Sequence, residues 1–250
     1  MEKLSSRKNE YIRRLRLLAA DAGFRAERGE YVCDGLKMLK EALSFGAEIK
    51  SVLWKESAAG LAGLESAAQY VADGELFDYA SPMKNSPGPV FTVKIPAAED
   101  AAKLKNALVL ETVQDPGNVG TVIRTANAFN IDAVILTGDC ADLYNPKTVR
   151  ATMGAIFRQR VISCALGELP MLLAGSGLAL YGAALSERAQ DIRTLNIRSA
   201  AVAIGSEGKG LSRELLSLCE GELIIPMNPD SESLNAAVAA AVVMWEMKRR

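Results

Sequence analysis

The chain has 250 residues, 49% of them hydrophobic and 24% charged, enough apolar material for one large core or two of ordinary size. Its formal net charge is −1 and it has no histidine. The total therefore advertises no nucleic-acid partner, and the missing imidazole excludes Ser–His–Asp chemistry, His-ligated zinc and a histidine base. The four cysteines, Cys33, Cys140, Cys164 and Cys219, lie far apart with no CxxC pair. That spacing points to a reducing compartment and away from a thiol-only zinc site, so no metal is expected. The first 30 residues lack the apolar core of a signal peptide, and the apolar run near the C-terminus is too short for a membrane span. A cytoplasmic protein without membrane contact is the expectation.

Residues 1 to 28 hold eight Lys or Arg (Lys3, Arg7, Lys8, Arg13, Arg14, Arg16, Arg25, Arg28) against four acids. This local excess suits a surface that touches phosphates, or equally a solvated helix face. "EYVCDGLKMLKEALSFGAEIKSVLW" reads as a turn, an amphipathic helix (Leu36, Leu39, Ala42, Leu43) and a buried strand through Val52 to Trp54. Four of the nine prolines fall between Pro82 and Pro96. They mark the edge of a first, mixed α/β domain at residues 1–98, with a linker around "AAEDAAKLKN" and a second domain at 105–250.

In the second domain "ALVLETV" is an apolar strand, and "GNVGTVIRTANAFN" a helix with Val119, Val122, Ile123, Ala126 and Phe129 on one face. Asn118 is placed to cap that helix. "DAVILTG" completes a βαβ unit, and "GLALYGAAL", "AAVAIG" and "ELIIP" supply three more buried strands. Continuous apolar runs fit a parallel sheet covered on both faces, where ligands bind beyond the carboxyl ends of the strands. Three loops leave those ends: 114–120, 205–212 and 226–235. They should form one site.

The middle loop, "GSEGKGLS", is neither a P-loop nor the dinucleotide fingerprint, because Gly205, Gly208 and Gly210 have the wrong spacing. It fits exposed backbone N–H groups around a polar ligand, or a plain turn before a helix capped by Ser212. The last loop opens a helix for which Ser231 or Ser233 can serve as the cap, with Asp230 and Glu232 suited to its positive end. From Ala236 to Trp245 that helix is apolar on every side, so a second chain or a second layer should cover part of it.

Asn118-x-Gly120-x-x-x-Arg124, then Gly205-x-Glu207-Gly208-x-Gly210-Leu211, then Ile225-Pro226-Met227 with Ser233-Leu234-Asn235, together resemble the SpoU (TrmH) family of RNA ribose 2′-O-methyltransferases. The resemblance spans roughly residues 105 to 250, and "YNPKTVRATMGAIFR" (144–158) resembles the family's segment between motifs. More loosely, the first hundred residues resemble the ribosomal-protein-like RNA-binding domain that many members carry. The resemblance implies a SPOUT fold, a parallel sheet flanked by helices with a deep trefoil knot, and a homodimer binding S-adenosylmethionine. Carried over by position, it implies cofactor contacts at Gly205, Ile225, Leu234 and Ala183. It also implies catalytic or orienting roles for Arg124, Asn118, Glu207, Ser233 and Asn235. Arg124 would activate the 2′-hydroxyl or position the neighbouring phosphate. Two positions depart from the family pattern: Ser206 stands where Asn is usual, and Asp34-Gly35 where Glu-Gly is common. The implied substrate is structured RNA, ribosomal RNA first, with tRNA or a non-catalytic RNA-binding role as alternatives. A fragment starting near residue 100 is expected to fold and bind cofactor alone.

Overall fold

Residues 1–57, 61–97, 103–228 and 233–249 are described by a computed structural model of the chain. Residues 98–102 of the expected linker, and Asp230, Ser231 and Glu232 at the last loop, lie outside the described residues. The chain divides into two units, Met1–Ala97 with Asp142–Phe157, and Ala98–Ala141 with Arg158–Arg250.

The first unit begins with a short strand, β1 (Glu2–Leu4), and helix α1 (Glu10–Ala20). Asn9 caps α1 by accepting from the Tyr11 N–H, and Tyr11, Ile12, Leu15 and Leu18 form its buried stripe. Helix α2 (Ala22–Arg28), β2 (Glu30–Asp34), α3 (Leu36–Ser44), β3 (Ile49–Lys55), β4 (Ala68–Ala72), α4 (Gly74–Ala80) and β5 (Val90–Lys94) follow. The five strands form one mixed sheet in the order β1-β4-β3-β5-β2. Side chains alternate across it: Val32 and Leu53 join Ile12, Leu15 and Phe77 on one face, while Cys33, Val52, Trp54 and Phe91 meet Leu39 and Ala42 on the other. On α3, Met38, Leu39 and Ala42 are the buried positions. Leu36, expected on that face, is instead 37% exposed at the first turn.

The second unit is a seven-stranded, all-parallel sheet in the order β10-β12-β9-β11-β6-β7-β8. It starts with β6 (Ala107–Glu111), helix α5 (Pro116–Ala128) and β7 (Ala133–Thr137). The crossover from β7 to its neighbour β8 (Val161–Ser163) then leaves the second unit. It carries helix α6 (Pro146–Ala151), whose Val149 is fully buried in the core of the first unit beside Tyr31, Cys33 and Phe91. Arg25, itself buried, pairs with Asp142 at the start of this excursion, and Tyr31 packs on Tyr144 with ring centroids 4.7 Å apart.

Helix α7 (Leu169–Ala174), β9 (Ala179–Ala183), β10 (Gln190–Asp191), β11 (Ala200–Ile204), α8 (Arg213–Leu218), β12 (Gly221–Ile224) and α9 (Ala236–Lys248) complete the chain. Ala107, Val109, Ile135, Ala201 and Ala203 pack with Leu169, Leu173 and Leu215 on one face of the sheet. Leu108, Leu110, Val134, Val202 and Ile204 are equally buried and alternate to the opposite face. The continuous apolar runs of the sequence therefore correspond to strands covered on both sides. Among the described residues, no helix is long and apolar enough to cross a membrane.

Candidate active site

The carboxyl ends of three adjacent strands, β12, β9 and β11, open into a cavity of about 530 Å³. All four residues expected to hold a cofactor line it: Ala183 at the end of β9, Gly205 after β11, Ile225 after β12, and Leu234 before α9. Ser233, Glu207 and Ser206 line it as well. The expected motif loops thus meet at the sheet end where a doubly covered parallel sheet presents its ligands.

Gly205 is required by packing. A β-carbon there would lie 2.1 Å from the Gly210 carbonyl carbon and 2.4 Å from the Leu211 nitrogen, closer than real β-carbons come. The segment 205–211 folds back on itself, the Gly210 N–H donating to the Ser206 carbonyl at 2.8 Å. Ser206 contributes that backbone carbonyl at the family's Asn position. Beyond the fold-back, Ser212 caps α8 as expected, its hydroxyl accepting from the Leu215 N–H at 3.0 Å.

Glu207 draws the three loops together. Its Oε1 accepts from the Asn118 amide, from the Asn235 Nδ2 at 3.1 Å, and from the Ala236 N–H at 3.4 Å. The Asn235 Nδ2 also donates to the Asn118 Oδ1 at 3.1 Å. Asn118 and Asn235, 117 residues apart, thus share one carboxylate at the N-terminus of α9, where the helix dipole favours negative charge.

Two expected caps are corrected. Asp115 caps α5, its Oδ1 accepting from the Asn118 N–H at 2.8 Å, because Pro116 takes the first helical position and starts the helix earlier. That leaves the Asn118 side chain for Glu207. At the last loop the cap is Asn235 in place of Ser233, its Oδ1 accepting from the Ala237 and Val238 N–H groups at 3.0 and 3.3 Å. Ser233 is exposed at the cavity.

Arg124 stands apart. It lies on the exposed side of α5, does not line the cavity, and has no hydrogen-bond or ion-pair partner among the described residues. Several lining residues were not singled out from the sequence. Glu222 and Ser186 face the cavity and hydrogen-bond to each other, and Lys209 lines it within the glycine loop. Glu111, the last residue of β6, is only 6% exposed, although "ALVLE" reads as a plain apolar strand. The signal available was the charge itself, since an acid ending a buried strand needs a partner.

Among the described residues, no group of three or more Cys, Asp or Glu could hold a metal ion. The cavity suits S-adenosylmethionine, with backbone and apolar walls for an adenosine and two carboxylates, Glu207 and Glu222, facing a cationic ligand.

Residues 105–245 match the SpoU rRNA Methylase family. The whole chain is similar to a 23S rRNA (guanosine-2′-O)-methyltransferase, RlmP, of Bacillus subtilis, 30% identical over 99% of this chain and 100% of that one. Among solved structures it resembles the SpoU methyltransferase AviRb from Streptomyces viridochromogenes, with a TM-score of 0.85, 25% identity and 96% of each chain covered. An AdoMet-bound rRNA methyltransferase from Sinorhizobium meliloti shares the fold, with a TM-score of 0.87 at 23% identity over 98% of this chain and 96% of that one. With the family matched over more than half its length and a relative aligned from end to end, this chain belongs to the SpoU rRNA methylase family.

Proposed function

We propose that the protein transfers the methyl group of S-adenosylmethionine to a ribose 2′-hydroxyl of RNA, with ribosomal RNA as the substrate. The observation that carries this reading is the joining of Asn118, Glu207 and Asn235, from three separate loops, beside the strand-end cavity. Alignment with a 23S rRNA methyltransferase along its whole length favours ribosomal RNA over tRNA.

The cofactor supplies an electrophilic methyl group on a sulfonium. Backbone at Gly205, Ile225 and Leu234, with Ala183, holds the adenosine. Asn118, Glu207, Ser233 and Asn235 orient the ribose whose hydroxyl attacks. Arg124, unpartnered among the described residues, receives the phosphate beside the target ribose. A guanidinium is a poor base but a good planar fork for phosphate oxygens.

The larger assembly belongs to the same proposal. The second unit is threaded as a trefoil knot, consistent with family membership and with the close backbone approach at Gly205. Two chains pair through the exposed apolar side of α9. The first unit, 1–98 in sequence terms, grips the RNA while residues 105–250 carry out the transfer. The protein works in the cytoplasm, a setting that suits its four free thiols.

The test combines the purified protein with S-adenosylmethionine carrying a labelled methyl group and protein-free ribosomal RNA, followed by mapping of ribose methylation. Label at a single 2′-oxygen is expected. No binding of the cofactor by the folded protein would sink the enzyme reading. Binding without transfer to rRNA or tRNA would leave a non-catalytic RNA-binding protein, and transfer to tRNA alone would replace the substrate.

A further inference from the structure

Glu111 lies outside the motifs, yet both its carboxylate oxygens are engaged by one residue beyond the glycine loop. The Ser212 N–H donates to Oε2 at 2.7 Å and the Ser212 hydroxyl to Oε1 at 2.6 Å. The acceptor is charged and nearly excluded from water, which makes both bonds strong and their loss costly.

The placement matters because of what lies between. Strand β11 runs beside β6 in register, Ile204 opposite Leu110, and the loop departs at Gly205. The next residue of β6, Glu111, takes hold of Ser212 where the loop ends. One strand therefore fixes both ends of the segment that forms a wall of the cavity and carries Glu207. Immediately after Glu111 the backbone turns through Thr112 at φ 54°, a left-handed conformation uncommon for a β-branched residue, and Asn118 follows on α5.

We propose that Glu111 is a positioning residue for methyl transfer: by clamping Ser212 it holds loop 205–211 in its cofactor-binding shape and sets Glu207 against Asn118 and Asn235. The inference rests on the reading that this cavity takes S-adenosylmethionine.

Glu111→Gln keeps the size of the side chain and removes its charge and one acceptor. It should weaken binding of S-adenosylmethionine and S-adenosylhomocysteine by about tenfold in calorimetry and lower kcat at saturating cofactor. It should also speed hydrogen exchange at the Gly210 and Leu211 amides while the β11 amides stay protected. Ser212→Ala should weaken cofactor binding less, Ser212→Thr should restore it, and the double variant Glu111→Gln/Ser212→Ala should fall short of the product of the two single effects. Asn106→Ala is the control for plain destabilisation. Asn106 is a buried polar residue just before β6, at its opposite end, and accepts from the Asp132 N–H at 3.1 Å. It should lower Tm without changing cofactor affinity or loop exchange.

Parent-like cofactor affinity in a folded Glu111→Gln protein overturns the proposal, as does an affinity loss matched by Asn106→Ala at equal loss of Tm. If Glu111→Gln does not fold, the serine pair decides, and equal affinities of Ser212→Ala and Ser212→Thr overturn it. Failure of the parent protein to bind the cofactor would instead sink the methyltransferase reading on which the proposal rests.

Discussion

Among the described residues Arg124 has no hydrogen bond or ion pair to the other proposed catalytic side chains and does not line the cavity, so its substitution separates binding from transfer. Arg124→Ala should lower the methyl-transfer rate by more than about a hundredfold and leave the affinity for S-adenosylmethionine within about twofold of the parent. Arg124→Lys keeps the charge but loses the planar fork, and should be nearly as slow. A full rate for the lysine variant would show that fork geometry plays no part. A second residue-scale expectation concerns Cys219, whose thiol is pushed up to about 11, chiefly by burial. The folded protein keeps this proton while the unfolded chain loses it near pH 9, so stability falls as pH rises from about 9 to about 11. Below that window the thiol is protonated and unreactive. Iodoacetamide at pH 8 should label Cys219 far more slowly in the native protein than in denaturant, and equal rates would refute the shift. The motif residues Asn118, Glu207 and Asn235 were legible in the sequence because each belongs to a recognisable loop. Their hydrogen bonds were not, since one side chain can cap a helix or reach across 117 residues and only packing decides. Glu111 was legible only in part: a charge ending a buried strand signals that a partner is needed, but that partner lies 101 residues away and nothing nearby in sequence names it.

Among the elements, α9 bears out the all-apolar reading of its sequence in a particular way. Ala236, Ala240, Val243, Met244 and Met247 are buried, while Val238, Val242 and Trp245 form an exposed row, with Trp245 62% exposed and packed edge-on against Phe129. If this row is the dimer face, Val242→Glu should turn a dimer into a monomer at micromolar concentration in light scattering, with cooperative unfolding retained. A parent protein that is already monomeric would refute the pairing. Helix α1 and the turn before it bear an exposed basic pattern. Arg7 and Arg16 both stack on the Tyr79 ring, 4.7 and 4.1 Å from its centroid, and neither they nor Arg13 has an acidic partner among the described residues. If this face meets phosphates, Arg7→Ala/Arg16→Ala should weaken rRNA binding and reduce the slope of log affinity against log salt by roughly 1.5. An unchanged slope would place the RNA elsewhere. The strands of the second unit were readable from continuous apolar runs, but β8 and β10, with three and two residues, were too short to produce one.

For the molecule as a whole, the division into a first unit before residue 98 and a second after 105 differs from the contact pattern in one segment, Asp142–Phe157. Parallel neighbours such as β7 and β8 need a crossover, and periodicity gives no hint that its helix would pack away from its own sheet. The segment changes what a truncation should do. Deleting residues 1 to about 100 leaves Tyr144, Val149, Ile156 and Phe157 without the core they fill. The fragment should therefore aggregate where the sequence alone suggested a free-standing cofactor-binding unit. Val149→Ser/Phe157→Ser in the fragment should restore solubility, measured as the monodisperse fraction in gel filtration. A soluble fragment without those changes would show that the apolar side of α6 finds cover elsewhere.

The same excursion sets an order of events at the ribosome. A chain with two consecutive domains can finish the first while the second is still being made. Here the core around Tyr31, Cys33 and Phe91 lacks Val149 until β6, α5 and β7 have all been synthesised, so the amino-terminal unit must wait, incomplete, for a piece delivered late. Folding of the two units is thereby tied together in time.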